Sequence, residues 1–66
     1  MDCGKNLKKY RQMKGWSQKE LAEKSGVSER TIGYIENGIV SPTLKTLQAL
    51  ANGLDVSPMI LIERAA

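Results

Sequence analysis

Residues 18–35 read QKELAEKSGVSERTIGYI, which indicates two short helices joined by a tight turn. Ala22 in the first helix is small, so the second helix can cross it closely. Gly26 supplies the positive φ that the turn requires. Ile32 and Ile35 repeat at helical spacing and direct one face of the second helix inward. The polar side chains between them are therefore expected to face outward.

Before, within and after this stretch, glycines recur along the chain at regular intervals. Gly15, Gly26 and Gly38 each follow a segment of about ten residues with helical apolar spacing, where a left-handed C-cap is expected. Period-two alternation of strand length is missing. The sequence therefore predicts an all-α, compact five-helix bundle. The predicted helices run from about Gly4 to Lys14, Gln18 to Ser25, Glu29 to Asn37, Leu44 to Leu54 and Pro58 to Arg64.

Serine and threonine stand at the predicted helix starts, where they act as N-caps. Ser17 and Glu20 have the spacing of a capping box. The other N-cap candidates are Ser28, either Ser41 or Thr43, and Ser57 before Pro58. The predicted core is apolar and consists of Cys3, Leu7, Tyr10, Leu21, Ala22, Val27, Ile32, Ile35, Leu44, Leu47, Leu50, Ala51, Leu54 and Leu61, with Trp16 in it or at its edge. Gly33 and Gly53 fall inside predicted helices, at a cost of about 1 kcal/mol each relative to alanine.

The composition excludes several classes of protein. The chain has 66 residues, enough for one domain spanning residues 1–66. Histidine is absent and Cys3 is the only cysteine, so we expect no zinc site, no cofactor and no enzymatic activity. The absence of an internal disulfide fits a reducing cytoplasm. No apolar run approaches the roughly 20 residues of a membrane span.

The charge is unevenly distributed along the chain. The net charge is +3 and the isoelectric point is near 9.3. Five basic residues and no acidic residue lie between Lys5 and Lys14. A polyanionic partner and an ordinary solvated helix face explain this segment equally well.

The pattern as a whole resembles the helix-turn-helix of phage repressor and Cro-type regulators, the XRE family. Within the motif, the resemblance rests on Gln18, Leu21, Ala22, Gly26, Val27, Ile32 and Ile35. Outside it, the resemblance rests on Leu7, Tyr10, Arg11, Gly15, the run Ile35-Glu36-Asn37-Gly38 with Pro42, and Leu44, Leu47, Leu50, Ala51, Leu54, Val56 and Leu61. It covers roughly residues 3–62, and it implies sequence-specific binding of double-stranded DNA.

In this family the second helix of the motif docks in the major groove of DNA. The base-reading residues that the resemblance implies are Ser28, Glu29, Arg30, Thr31, Gly33 and Tyr34. Arg30 is the first choice, because its guanidinium fork matches guanine O6 and N7; a phosphate contact or an ion pair with Glu29 are the alternatives. Gly33 stands where many relatives carry a larger side chain, which shifts base contacts to Arg30 and Tyr34.

Three of these residues have two interpretations each. Glu29 either accepts from a cytosine amine or acts locally, on the helix dipole or on the orientation of Arg30. Tyr34 either contacts a thymine methyl group or a phosphate, or rests on the first helix. Thr31 either touches DNA or stabilises the helix through its hydroxyl.

The resemblance also implies residues that contact phosphates and set the register on DNA. Gln18 and Asn37 match such family positions, and weaker candidates are Lys14, Ser17, Thr43 and Lys45. Arg11 matches a family arginine that pairs with a glutamate at the end of the third helix, here Glu36. That pairing makes Arg11 structural in spite of its basic surroundings.

A module of this size makes few base contacts, so we expect a homodimer, acting as a repressor on a palindromic operator. The candidates for an apolar dimer surface are Met59, Ile60, Ile62, Ile39 and Val40. Exposed apolar residues near the C-terminus also fit a module that binds a protein, such as a toxin. No membrane partner is expected. The sequence leaves open whether the chain is a complete regulator or the N-terminal domain of a longer one.

Overall fold

The computed structural model describes residues 3–63, and within them the chain forms five α-helices. They are α1 (Cys3–Met13), α2 (Gln18–Ser25), α3 (Glu29–Glu36), α4 (Leu44–Leu54) and α5 (Pro58–Ile62). The all-α prediction is confirmed. The prediction for α3 is one residue too long, because Asn37 caps that helix instead of continuing it. The predicted end of α5 at Arg64 is also too late, because α5 ends at Ile62 and Glu63 is extended; Arg64 itself lies outside the described residues.

Side-chain caps define where four of the helices begin. The Glu20 amide donates to Ser17 Oγ at 3.1 Å, and the Ser17 amide donates to the Glu20 carboxylate at 3.0 Å, so the predicted capping box is present. Of the two candidates before α4, Thr43 and not Ser41 is the cap. The N-caps of α3, α4 and α5 are Ser28, Thr43 and Ser57. A cap of this kind stabilises a helix by about 1 kcal/mol.

Three of the helix ends use glycine in the left-handed conformation, as predicted. The φ values are 73° at Gly15, 76° at Gly26 and 73° at Gly38. At the end of α4, Asp55 adopts this conformation instead, with φ of 58°. The Val56 amide then donates to the Ala51 carbonyl at 3.0 Å, which closes the helix. The end of α4 is therefore where the apolar spacing predicts it, although no glycine stops it there.

The core of the described residues is apolar and continuous. It consists of Cys3, Leu7, Leu21, Ile32, Ile35, Leu47, Leu50, Ala51, Leu54 and Leu61, with Tyr10, Trp16, Ala22 and Val27 half-buried against it. The prediction that Leu44 belongs to the core is wrong, since 68% of it is exposed. Leu44 is the first residue of α4, and the burial of that helix begins one turn later, at Leu47. Burial raises the pKa of the Cys3 thiol, in keeping with its predicted role as a small apolar group.

The packing of the helices places α3 between two supports. It contacts α1 and α2, while α4 contacts α2 and α5, and α1 also contacts α5. Two glycines allow the closest approaches. Gly4 in α1 lies directly against the carbonyl oxygen of Ile35, and a Cβ atom on Gly53 would lie 2.9 Å from the Ser25 Cα atom. Gly53 is therefore a packing requirement, whereas the sequence indicated only a weaker helix at this position.

Arg11 and Glu36 form the ion pair between α1 and α3 that the resemblance implied. Arg11 Nε donates to Glu36 Oε2 at 2.7 Å, and Nη2 donates to Oε1 at 3.0 Å. The exposed fractions of the two side chains are 10% and 2%. Arg11 Nη1 also donates to the Trp16 carbonyl oxygen at 2.7 Å. The hydrogen bond to Glu36 raises the pKa of the Arg11 guanidinium above its ordinary value, so this group stays charged.

Asn6 is a buried amide that no sequence pattern marked out. Its Nδ2 group donates to the Leu61 carbonyl oxygen at 3.0 Å and also to the carbonyl oxygen of Glu63. The last carbonyls of a helix have no partner within the helix, so Asn6 satisfies groups that would otherwise lack one. A five-residue helix has little stability of its own. Asn6 therefore helps to hold α5 against α1.

Replacement of Glu36 by glutamine should destabilise the fold. Glu36→Gln leaves the guanidinium of Arg11 nearly buried without its carboxylate, so we expect the free energy of unfolding to fall by about 3 kcal/mol. Urea unfolding followed by circular dichroism measures this change. The matched control Glu23→Gln removes an exposed carboxylate from α2 and should have an effect below about 0.5 kcal/mol. Equal stability of the two variants would contradict a structural role for the pair.

Alanine at the two glycines inside helices should have opposite effects. Gly53→Ala brings a Cβ atom to 2.9 Å from Ser25, so we expect the free energy of unfolding to fall by about 1–3 kcal/mol. Gly33→Ala meets only the Gln18 side chain, at an ordinary 3.6 Å, and helix propensity should raise stability by about 1 kcal/mol. Urea midpoints of the two variants give the comparison. A gain at both positions would rule out the close packing of α2 against α4.

Candidate nucleic-acid interface

An open groove on the surface runs along the outward side of α3. The residues that line it are Gln18, Glu29, Arg30, Gly33, Tyr34, Asn37 and Ile39. They come from the start of α2, from α3 and from the loop that follows α3. All of them except Ile39 were predicted to contact DNA. The fold therefore brings six of the predicted residues onto one surface.

The two longest side chains on this surface contact each other. Arg30 Nε donates to the Tyr34 hydroxyl at 2.8 Å, and the guanidinium carbon lies 5.4 Å from the centroid of the Tyr34 ring. The two residues are one helical turn apart, so their side chains lie on the same face. The observed partner of Arg30 is thus Tyr34, and the predicted alternative of an ion pair with Glu29 is not the arrangement found.

Gly33 has no side chain, so another molecule can approach the backbone in the middle of α3 closely. The side chain nearest to it is Gln18, whose Oε1 atom would lie 3.6 Å from a Cβ atom at Gly33. Gln18 Nε2 donates to Glu36 Oε1 at 3.0 Å, and the same oxygen also accepts from Arg11. A primary amide carries two N–H donors, so Gln18 keeps a second one. Its position is therefore set by the ion pair behind the groove.

Ser28 and Thr31 form hydrogen bonds with each other at the start of α3. The Ser28 hydroxyl donates to Thr31 Oγ1 at 2.8 Å and accepts the Thr31 amide at 3.1 Å. Neither residue lines the groove. The Thr31 hydroxyl therefore has a local partner. This agrees with the interpretation that the hydroxyl stabilises the helix, rather than the one in which it touches DNA.

The four weaker candidates for phosphate contacts are exposed, but none of them lines the groove. Ser17 belongs to the capping box of α2, and Thr43 caps α4. Lys14 lies over the Trp16 ring, with Nζ 5.8 Å from the ring centroid. Lys45 is exposed on the first turn of α4.

The basic residues of α1 and of the turn after it have two different roles. Lys5, Lys8, Lys9 and Lys14 are exposed, whereas Arg11 is buried in its ion pair. The lysines contribute positive charge to the surface, which attracts a polyanion such as DNA. The charge of Arg11 is compensated by Glu36 and does not add to this field.

Ile39 belongs to the groove, although it was predicted only as a dimer candidate. It is 65% exposed. Its amide donates to the Tyr34 carbonyl oxygen at 2.8 Å, and the Gly38 amide donates to that of Ile35 at 3.1 Å. This pair of bonds is a Schellman motif, which fixes the residue after the capping glycine against the last turn of the helix. The signal in the sequence is the apolar residue directly after Gly38.

The remaining dimer candidates differ in how much surface they offer. Met59 is 70% exposed and Val40 is 42% exposed. Ile60 and Ile62 are half-buried and pack against the core. On α5, therefore, Met59 is the apolar side chain that is most accessible to a second molecule.

Two kinds of feature are not found among residues 3–63. This part of the chain has no group of His, Cys, Asp or Glu side chains placed to hold a metal ion. It also has no helix that is long and apolar enough to cross a membrane. What the groove offers is a set of hydrogen-bonding groups, an aromatic ring and one apolar side chain.

Known proteins resemble this chain in sequence and in fold. A helix-turn-helix family model matches residues 7–61. The HTH-type transcriptional regulator SutR of Escherichia coli is 50% identical over 50 residues, which are 76% of this chain and 28% of SutR. The antitoxin HipB of the same organism is 39% identical over 51 residues, which are 77% of this chain and 58% of HipB.

A solved structure shows the same fold. It is the N-terminal DNA-binding domain of SinR from Bacillus subtilis, with a TM-score of 0.88 and 36% sequence identity, covering 94% of this chain and 91% of that one. The chain spans less than two thirds of the length of SutR and of HipB. Relatives named as transcriptional regulators agree with the prediction that the chain is not an enzyme. From the match over residues 7–61, the sequence identity and the shared fold, the chain belongs to the helix-turn-helix family of XRE type.

Proposed function

We propose that this domain binds double-stranded DNA with α3 in the major groove, and that it acts as a dimeric repressor on a palindromic operator. The observation that carries the proposal is the groove along α3, where Gln18, Arg30, Tyr34 and Asn37 lie on one exposed surface. The buried residues of the same helix, Ile32 and Ile35, fix it to the core. A rigid helix with a polar outer face suits the width of the major groove.

Base recognition is assigned to the outward residues of α3. Arg30 presents terminal nitrogens that match the O6 and N7 acceptors of guanine, and Tyr34 offers a ring to a thymine methyl group. Gly33 lets the DNA approach the helix backbone. Further contacts are assigned to Ser28, Glu29 and Thr31, which lie on the first turn of α3 or immediately before it.

Phosphate contacts are assigned to residues on both sides of α3. Gln18 has a free N–H donor at the start of α2, where the helix dipole also favours an anion. Asn37 lines the other end of the groove. Lys14, Ser17, Thr43 and Lys45 are weaker assignments, supported by exposure alone. Such contacts set the register of the protein on DNA, while the base contacts determine the sequence.

Dimerisation is assigned to α5, with Met59 as its main exposed apolar residue. Two recognition helices about 34 Å apart would meet half-sites separated by one turn of DNA. Asn6 and the core hold α5 in a defined position, which a specific interface needs.

A protein partner is the second candidate, and the similarity to the antitoxin HipB supports it. In this case the exposed apolar side chains would contact a toxin, and DNA binding would regulate the pair. A small toxin gene beside the gene for this chain, or co-purification of its product, would favour this role. Isolation of the chain alone, together with a stable dimer on DNA, would favour the first candidate.

Selection from a pool of random duplexes at a stated salt concentration tests the main proposal. We expect a palindromic sequence to be enriched, and sedimentation analysis to show two chains on each duplex. Enrichment of a single unrepeated site would contradict the dimer. If no sequence is enriched, the proposal of specific DNA binding fails.

Loss of Arg30 should reduce specific binding more than general binding. For Arg30→Ala, we expect the affinity for the selected operator to fall by about 10- to 100-fold, the range for one bidentate guanine contact. The affinity for unrelated duplexes should fall only slightly, as fluorescence anisotropy at constant salt can measure. The matched control Lys24→Ala removes the same charge from the last turn of α2. An equal loss on all duplexes would show that Arg30 contacts phosphate.

A charge on α5 should prevent dimerisation without unfolding the chain. Met59→Lys places an ammonium group on the proposed surface, so we expect sedimentation equilibrium to show a monomer and operator affinity to fall. Met13→Lys is the matched control, since Met13 is also 70% exposed but lies on α1. Circular dichroism should show both variants folded. A dimer that survives Met59→Lys would mean that α5 is not the interface.

A further inference from the structure

The contact between Arg30 and Tyr34 restricts how the arginine can bind a base. A guanidinium group has five N–H donors and two edges that can make paired hydrogen bonds. One edge carries the two terminal nitrogens, and the other carries Nε and one terminal nitrogen. In this protein the Tyr34 hydroxyl accepts from Nε at 2.8 Å, so only the terminal edge has both of its donors free of Tyr34.

The two residues are not equally constrained. Tyr34 is half-buried. Arg30 is exposed, and its guanidinium lies over the tyrosine ring. Because Tyr34 is the more buried of the two residues, we infer that the tyrosine orients the arginine, rather than the reverse.

We propose that Tyr34 is a positioning residue for Arg30, which holds the guanidinium so that its two terminal nitrogens meet O6 and N7 of a guanine. This inference rests on the proposed function, because it requires α3 to read bases. An arginine that is already oriented loses less conformational freedom on binding. The same restraint disfavours contacts through the edge that carries Nε. It therefore sharpens the preference of Arg30 for guanine and also raises the affinity for the operator.

A double-mutant cycle with Tyr34→Phe and Arg30→Ala tests this role. Tyr34→Phe keeps the ring and removes only the hydroxyl. Each protein is titrated with the selected operator, with the operator in which one G·C pair at a time is changed to A·T, and with an unrelated duplex. In the presence of Arg30, we expect Tyr34→Phe to reduce discrimination at one G·C pair by about 3- to 10-fold, as for loss of one hydrogen bond. Affinity for the unrelated duplex should not change.

In the Arg30→Ala background, the same substitution should have no effect on any duplex. Equal losses in both backgrounds would show that the Tyr34 hydroxyl contacts DNA directly, and would overturn the positioning role. Unchanged discrimination by Tyr34→Phe in the presence of Arg30 would also overturn it. If the wild-type domain shows no sequence preference at all, the proposed function fails and the positioning role fails with it. If the wild type is specific and the cycle is additive, only the positioning role fails.

NMR spectra of the free protein provide an independent measurement. The Nε–H proton of Arg30 should be protected from exchange with water in the wild type, and it should exchange faster in Tyr34→Phe. The Nε–H proton of Arg11, which is bonded to Glu36 in the interior, serves as the internal reference. Equal exchange of the Arg30 proton in the two proteins would mean that the hydroxyl does not hold this side chain.

Discussion

The recognition surface depends on the hydrogen bonds that the Glu36 carboxylate accepts. This carboxylate lies at the end of α3, accepts two hydrogen bonds from Arg11 in α1, and accepts one from Gln18 in α2. Three helices are therefore joined by one nearly buried group. A buried ion pair adds little net stability, because removing both charges from water opposes their attraction. The contribution of this one is geometric, since it sets how the helices behind the groove are placed relative to each other.

Close packing of the helix backbones gives the domain a rigidity that its small core alone would not provide. A domain of this length buries a limited apolar area and is only marginally stable. Gly4 against the Ile35 carbonyl oxygen, and Gly53 against Ser25, bring helix backbones together where any side chain would separate them. The result is that α3 has a rigid support. Its outer face can then carry polar residues such as Arg30 that contribute nothing to the core.

The sequence alone was enough to predict the five helices within one or two residues. Signals for helix ends act within a single turn: a serine accepts an amide three residues ahead, and a glycine adopts positive φ directly after the helix. Apolar spacing is equally local, so most of the core was predicted as well. The family resemblance supplied the pairing of Arg11 with Glu36 and the choice of α3 as the recognition helix. Spacing alone contains neither, because these residues are far apart in the chain.

Only the tertiary structure decided the features that depend on what lies opposite a residue. Leu44 has the helical spacing of a core residue but is 68% exposed, and Gly53 is required by a segment far from it in sequence. Asn6 satisfies carbonyls at the opposite end of the chain. The partner of Arg30, and the place of Ile39 in the groove, likewise follow from how side chains and loops settle around α3. Local sequence therefore determines each helix and its limits, whereas contacts between distant segments determine what each face of a helix meets.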